Sequence, residues 1–512
     1  MSQTWNEGYF TDISYTCGYY REINPVFLDF CLLLRGYEPA GFGHASTHCE
    51  LGYGQGLSAN IHAAANPGNY FGTDFTPSHA AFAQSLATRA SNGAMLFDDS
   101  FEEFLARDDL PQFDSISLHG IWAWVSDQNR TAITAFARRH LRPGGVFYVS
   151  YNCFPGWAPL HPLRQLFTLH DRYASPPADT HTRVDAALKF AGDLFAADAR
   201  ALVTHPHLGT RLQGLKEQNR QYLAHEYFNR EWSCMYFADV AEELTAAKLE
   251  FACSAIPKDA IDLINLSATA QEHLRNIGHP ILREQTRDYF TDQHFRKDIY
   301  ARGLRRLSAS EQRERLFDMR FVLTQPVNDI PKTITGAFGS VGLEQYQPVI
   351  DAFAANNYSA KSLRQLLPLV AEVPWGVLHE MLAALCSEGS LAPCHPEALE
   401  QEMRPRCRAL NHQICLRACH SSEITFLASP LTGGGTPVSR TSQLFLLARE
   451  NGKSHPADWA AFAWSVLLQQ GECMVKDGRA LTTGEENVAE LKSIADKFNS
   501  ELLPVLISLG VA

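Results

Sequence analysis

The sequence predicts an α/β fold built on an open, mostly parallel sheet. A mainly helical middle region and a winged-helix-like C-terminal region are expected to follow it. Three observations carry this prediction. Residues 44 to 152 alternate short strand-like runs with helical patterns, the signature of β-α-β units. Those runs number five in about 110 residues, which suits an open sheet with crossover helices. After the Pro-rich stretch Phe154 to Pro162 the pattern becomes helical, as in Val240, Leu244, Ala247 and Phe251.

The elements follow in order. Thr47 to Leu51 is a short strand entering a glycine-rich turn, and Leu57 to Ala65 is a helix with Leu57, Ile61 and Ala64 on one face. Tyr70 to Asp74 is a second strand, stopped at Thr76-Pro77. A helix over Ser78 to Ala90 leads to a third strand, Ala94 to Phe97, and Phe113 to Leu118 is a fourth. Asp127 to Leu141 places Ile133, Phe136, Ala137 and Leu141 at helical spacing. Arg142-Pro143-Gly144-Gly145 stops that helix before a fifth strand, Val146 to Tyr151. Residues 1–165 are therefore expected to form one domain, 166–324 a helical domain, and 325–512 the C-terminal domain. Within the middle region, Ala174-Ser175-Pro176-Pro177 reads as a loop because consecutive prolines cannot continue a helix. In the last, helix pairs over 346–355, 359–367 and 377–388 precede turn-rich sequence.

Composition sets the outer limits. The 512 residues are 45% apolar and 20% charged, which excludes disordered, collagen-like and coiled-coil chains. A net charge of −12 argues against nucleic acid as a partner. No basic segment followed by an apolar core opens the chain, and Phe27 to Leu34 is too short to span a bilayer and contains Asp29. The twelve cysteines include no C-x-x-C pair, as expected of reduced thiols. A cytoplasmic protein with no membrane span is the expectation.

The strongest local signal is Glu50-Leu51-Gly52-Tyr53-Gly54-Gln55-Gly56. Glycines where a strand turns into a helix let a ligand approach the backbone, since no Cβ intervenes. A dinucleotide fingerprint needs a glycine three residues after the second one, and Leu57 stands there. The acidic-x-Gly-x-Gly-x-Gly pattern of S-adenosylmethionine (SAM) binding fits at every position. Asp74, ending the second strand, can accept hydrogen bonds from two ribose hydroxyls. Asp99, after the third strand, can accept from an adenine amino group.

The chain also resembles bacterial class I methyltransferases that carry a methyltransferase regulatory domain, among them the rickettsial outer-membrane-protein lysine methyltransferases. The resemblance rests on Tyr15 to Pro25, Glu50 to Gly56, Gly72-Thr73-Asp74-Phe75, His119-Gly120, Trp124-Val125 and Tyr151 to Trp157. His225-Glu226-Tyr227, Met235-Tyr236-Phe237, Ala428-Ser429-Pro430 and Pro437-Val438-Ser439-Arg440 extend it over most of the chain. It implies a Rossmann-like SAM-binding domain and methyl transfer to nitrogen, with protein lysine side chains as the best-known acceptors. A protein or peptide substrate is the partner it implies. By position, Glu50, Gly52, Gly54 and Gly56 would surround the methionine part of SAM and Asp74 the ribose. Asp99, Ser100 and Phe101 would border the adenine. His119 would lie near the methyl group and substrate, and Tyr53 departs from the small residue or Cys common there.

Methyl transfer from a sulfonium is an in-line displacement, for which a lysine must arrive deprotonated against an ordinary pKa near 10.4. An aromatic-lined channel would favour the neutral amine and accommodate the cationic product. The first twenty residues supply Trp5, Tyr9, Phe10, Tyr15, Tyr19 and Tyr20. Tyr15 and Tyr20 are the candidates to border SAM or substrate, with His119 beside them; these rings could equally pack an N-terminal helix against the sheet. His225 and Tyr227 could reach the pocket only if the helical region folds over it. Two alternatives share the motifs: a methyltransferase of a small molecule or peptide natural product, and a non-catalytic SAM-binding scaffold.

Other signals carry less. Cys407, His412, Cys415, Cys419 and His420 include only one pair at metal-ligand spacing, so no metal is expected. Residues 330 to 512 hold 14 Lys plus Arg against 18 Asp plus Glu, a poor balance for binding phosphates despite Arg404-Pro405-Arg406-Cys407-Arg408. Gly433-Gly434-Gly435 lacks the Lys-Ser/Thr of a phosphate loop and reads as a flexible turn.

Overall fold

A computed structural model of the chain describes residues 17–176, 178–229 and 231–512. Seven strands form its central sheet: β1 (Thr47–Leu51), β2 (Asn69–Thr73), β3 (Met95–Phe97), β4 (Phe113–Leu118), β5 (Leu141–Asn152), β6 (Glu250–Ser254) and β7 (Phe295–Ala301). Their order is β3-β2-β1-β4-β5-β7-β6, and β7 runs antiparallel to both its neighbours. The labelled helices are α1 (Pro25–Leu34), α2 (Leu57–Ala65), α3 (Pro77–Ala90), α4 (Phe101–Ala106) and α5 (Asp127–His140). The predicted α/β domain with its mostly parallel sheet is present.

Two of the strands come from the middle region, which otherwise is helical. The reason β7 escapes notice is chemical. Its Arg296 and Asp298 are both buried, because Arg296 pairs with Glu284, Asp288 and Asp298 while Tyr151 of β5 donates to Asp298 at 2.7 Å. Charged residues neutralised this way interrupt the apolar alternation by which a strand is normally recognised. β5 also begins earlier than expected: Leu141 already pairs with Phe113, and Gly144 donates its N–H to Arg302 O at 2.7 Å.

The apolar stretch near the start becomes α1, capped by the Asn24 side chain, with Pro25 in its first turn. Eight of its ten residues are buried in a core shared with β5, β6, β7 and the 316–391 segment. Asp29 accepts from Ala40 N at 2.7 Å and Gly41 N at 3.1 Å, and burial pushes its carboxyl up to about 7. Among the described residues no helix is long and apolar enough to cross a membrane.

Beyond residue 320 a three-stranded antiparallel sheet joins residues 320–323, 361–362 and 391–394, with helices Gln347–Tyr358 and Trp375–Glu388 beside it. Where a helix is expected over 359–367, the chain instead forms the strand 361–362 and turns into the short helix Leu367–Val370. The helix Glu397–Ala418 packs its Cys407, Leu410 and Ile414 against Leu57, Ile61, Ala64 and Leu86 of α2 and α3. The Gly433–Gly435 run is no flexible turn. Gly434 and Gly435 lie against the Tyr19 ring, where an added Cβ would come within 2.4 and 3.0 Å of it, and Asn24 and Asn66 donate to Thr432 O and Gly433 O. Glycine is used there because an aromatic ring lies flat against the backbone.

Candidate active site

Five parallel strands end at one rim, and the chain returns from each of them into a cavity of about 450 Å³. Gly52, Tyr53, Gly54 and Gln55 after β1 form part of one wall, with Asp74 to Thr76 after β2 and Asp99 to Phe101 after β3. Gly52 and Gly54 have φ of +72° and +59°, the left-handed region in which a side chain is strained. A Cβ on Gly52 would sit 2.5 Å from Ile121 Cδ1, whereas one on Gly54 would meet only open space. This turn is held from beneath by Asp74, whose Oδ2 accepts from Gly54 N at 2.8 Å. Asp74 Oδ1 accepts from Thr76 N at 3.1 Å and lies 3.2 Å from His79 Nδ1.

Asp99 receives Arg107 Nη1 at 3.0 Å, and that guanidinium covers the Phe97 ring. Ser100 caps α4 in a reciprocal capping box with Glu103, which fixes the 99–101 corner. Glu50 and Gly56 do not line the cavity directly. Glu50 sits within β1, paired with Gly72 of β2 and Ser117 of β4, and burial followed by the charge of Asp74 pushes its carboxyl up to about 8. Gly56 instead caps α2 and admits Ala83 of α3, where a Cβ would come within 2.5 Å.

The floor is aromatic. Tyr20 stacks on His119 with ring centroids 3.8 Å apart and planes 19° from parallel. His119 Nδ1 shares a 2.8 Å hydrogen bond with the Tyr148 hydroxyl, so its orientation is fixed from β5. Burial, aided by Lys297 and opposed by Glu22, lowers its pKa to about 3, which makes it a neutral ring at working pH. Gly120 N donates to Ser150 Oγ at 2.8 Å, and Asn152 at the end of β5 keeps a buried Nδ2 with no hydrogen-bond partner among the described residues. Tyr15 lies outside the described residues.

The second wall comes from the middle region. Arg211, Tyr222, His225, Glu226, Tyr227, Asn229 and Glu231 line the cavity together with Trp124, Asn129, Trp157 and Phe295. The region thus does fold over the pocket, bringing His225 and Tyr227 to it. Arg211, Tyr222, Glu226 and Asn229 were not singled out as site residues by the sequence. Tyr222 and Glu226 lie on the helix Arg220–Phe228, which contributes Leu223 and Ala224 to a separate small core with Trp157 and Phe167, and Arg211 lies on the preceding helix Pro206–Lys216. Only the His225-Glu226-Tyr227 signature gave any signal.

The groups present suit SAM. Backbone without Cβ approaches at Gly54, carboxylates stand at two strand ends, and an apolar face adjoins them at Phe101 and Ile121. No cluster of three or more metal-ligating side chains occurs among the described residues.

Comparison with known proteins agrees with this geometry. A family model described as a methyltransferase domain matches residues 49–149, and one described as a predicted methyltransferase regulatory domain matches 219–302. An uncharacterised protein of Synechocystis sp. is 38% identical over 513 residues, covering 99% of this chain and 100% of its own length. An uncharacterised protein of Rickettsia prowazekii is 26% identical over 196 residues, 38% of this chain and 34% of its own. Among solved structures, PKMT2 from Rickettsia typhi in complex with AdoHcy superposes with a TM-score of 0.69 at 18% identity. That superposition covers 94% of this chain and 98% of the other, a likeness of fold.

Proposed function

This chain belongs to the SAM-dependent methyltransferases that carry a methyltransferase regulatory domain, and from that premise we propose that its acceptor is nitrogen, in lysine side chains of proteins. The cofactor is S-adenosylmethionine, which supplies a methyl group already activated on a sulfonium. The chain's own residues then have three tasks. The glycine turn with Asp74 and Asp99 positions the cofactor. The Tyr20–His119 stack and the Tyr148 hydroxyl hold the floor rigid, so that donor and acceptor meet in line. Trp124, Trp157, Tyr222, Tyr227 and Phe295 exclude water and present ring faces to a cationic product.

The observation that carries the lysine reading is the make-up of the wall facing the glycine turn. It is aromatic and carries the carboxylates of Glu226 and Glu231 beside one guanidinium, Arg211, which suits an amine that becomes cationic better than an anionic acceptor. The resemblance to the rickettsial lysine methyltransferases and the fold likeness to PKMT2 support the same choice. A net charge of −12 favours a basic protein substrate over nucleic acid.

The test is transfer of a labelled methyl group from SAM into a cell lysate, followed by acid hydrolysis and amino-acid analysis. Label in methyl-lysine is the expected result. Label confined to small molecules would replace the acceptor, and absent transfer despite SAM binding would remove catalysis from the reading.

A further inference from the structure

We propose that Glu226 is the seat of the acceptor amine: its carboxylate holds the incoming alkylammonium in the cavity and takes its proton. This rests on the reading of the protein as an amine methyltransferase and names the residue that makes the amine reactive.

The geometry singles out Glu226 among the cavity's acids. Asp74 is occupied by Gly54 N, Thr76 N and His79, Asp99 by Arg107, and Glu231 is likewise engaged by a partner of its own. Glu226 has no cation within 4 Å among the described residues. The two arginines nearest in charge are turned elsewhere. Arg211 donates to the Tyr227 hydroxyl at 3.0 Å, and Arg164 donates to Asn229 O at 2.8 Å while its guanidinium covers the Trp232 ring at 4.2 Å. A carboxylate with no cation in direct contact, in a largely apolar cavity, is costly unless one arrives to meet it. Its flanking rings, Tyr222 and Tyr227, give that cation aromatic faces.

The chemistry requires such a group. An alkylammonium has no lone pair, and it must lose a proton before nitrogen can attack. His119 is too weak a base for that proton, because burial disfavours its charged ring and lowers its pKa to about 3. Burial pushes the Glu226 carboxyl up to about 7, with Arg164 and Arg211 pulling it back. Other groups around it are Tyr222, Tyr227, His225 and Glu231, and desolvation raises the two phenols out of the working range. In the step, the N–H bond breaks with its proton passing to the carboxylate. The freed pair forms the N–CH3 bond as the S–CH3 bond breaks, and sulfur keeps the bonding pair as a neutral thioether. The proton then leaves to solvent, so one ammonium and one sulfonium give one methylammonium, one thioether and one proton.

The experiment compares wild type with Glu226→Gln and Glu226→Asp, using labelled-methyl transfer from SAM into lysate protein lysines and SAM binding by calorimetry. Glu226→Gln is expected to keep SAM affinity within about twofold while kcat/KM falls by about 100-fold, a common size for general acid–base loss. The wild-type rate should rise through pH 7, and that inflection should vanish in Glu226→Gln. Glu226→Asp, which keeps the charge, should recover part of the rate and the inflection. Equal transfer and equal pH profiles in wild type and Glu226→Gln would overturn the assignment while leaving lysine methylation intact. Wild type that binds SAM but places no label in lysine would overturn the acceptor reading itself. Should Glu226→Gln lose SAM binding, the Asp variant decides: a wild-type rate and profile there would also overturn the assignment.

Discussion

Adding one methyl group at Gly54 separates the backbone's need for glycine from the ligand's. In Gly54→Ala the new Cβ meets no protein atom within 4 Å, so the fold bears only the cost of a left-handed alanine, about 1–2 kcal/mol. At 2–4 °C per kcal/mol for a 150–250-residue unit, Tm should fall by roughly 2–8 °C. The same Cβ stands in the wall of the cavity, where bound SAM would have to shift and lose a hydrogen bond or several contacts. A loss of about 1.5–3 kcal/mol corresponds to roughly 10- to 100-fold in Kd. Gly93→Ala is the matched control, since Gly93 has φ +76° and open space around it but does not line the cavity. Calorimetric titration with SAM and thermal melts on both variants give the readout. The two should lose similar stability, and only Gly54→Ala should lose affinity. Equal SAM affinity in both would refute the placement of the cofactor over this turn.

Four further outcomes follow from the same physics. Burial lowers His48, His62 and His119 to about 3 and His395 to about 4, against 6.5 when unfolded. The part of the stability these rings supply should therefore be complete above pH 6.5 and be lost as pH drops towards 4, by up to about 1.4 kcal/mol per pH unit for each ring, while the raised carboxyls of Asp29, Glu50 and Glu226 work in the opposite direction; a His62→Asn variant whose Tm depends on pH between 7 and 5 just as wild type's does would contradict this. Arg296→Met strands the buried carboxylates of Asp288 and Asp298 and should cost about 3–5 kcal/mol in a denaturant melt. Gly435→Ala drives a Cβ to 3.0 Å from the Tyr19 ring and should cost about 1–3 kcal/mol, whereas Gly278→Ala, with open space around it, should change the melt little. Tyr148→Phe removes the hydrogen bond that orients His119 and should lower kcat with SAM affinity unchanged, and an unaltered kcat would show that His119 needs no anchor.

How much of this could be read from residues alone depended on whether the signal was local. Glu50 to Gly56, Asp74 and Asp99 carry their meaning in a few adjacent positions, because a strand end and a turn are short-range structures. The wall opposite them has no such signature. Glu226, Tyr222 and Arg211 become site residues only because two helices, Pro206–Lys216 and Arg220–Phe228, some 160 to 170 positions later in the chain, bring them to the cavity of the glycine turn. β6 and β7 were hidden for a related reason. An arginine gives no sign of burial by itself, and Arg296 is buried only because acidic partners from 284, 288 and 298 surround it. The Gly433–Gly435 run looked mobile because Tyr19, the ring it accommodates, lies more than 400 residues away in the chain.

The place of β5 in the sheet has a practical consequence. Residues 146–152 make seven consecutive pairings with β7 on one side, and the apolar residues of β5 between 146 and 151 are almost wholly buried. A protein cut at residue 165 would keep the glycine turn and all five parallel strands, yet would leave that hydrophobic ladder with a row of unmatched amides and carbonyls. Such a bare edge is a template for another copy of itself. The isolated N-terminal segment should therefore gather into aggregates, and 250–301 would have to be supplied for the cofactor-binding half to stay in solution.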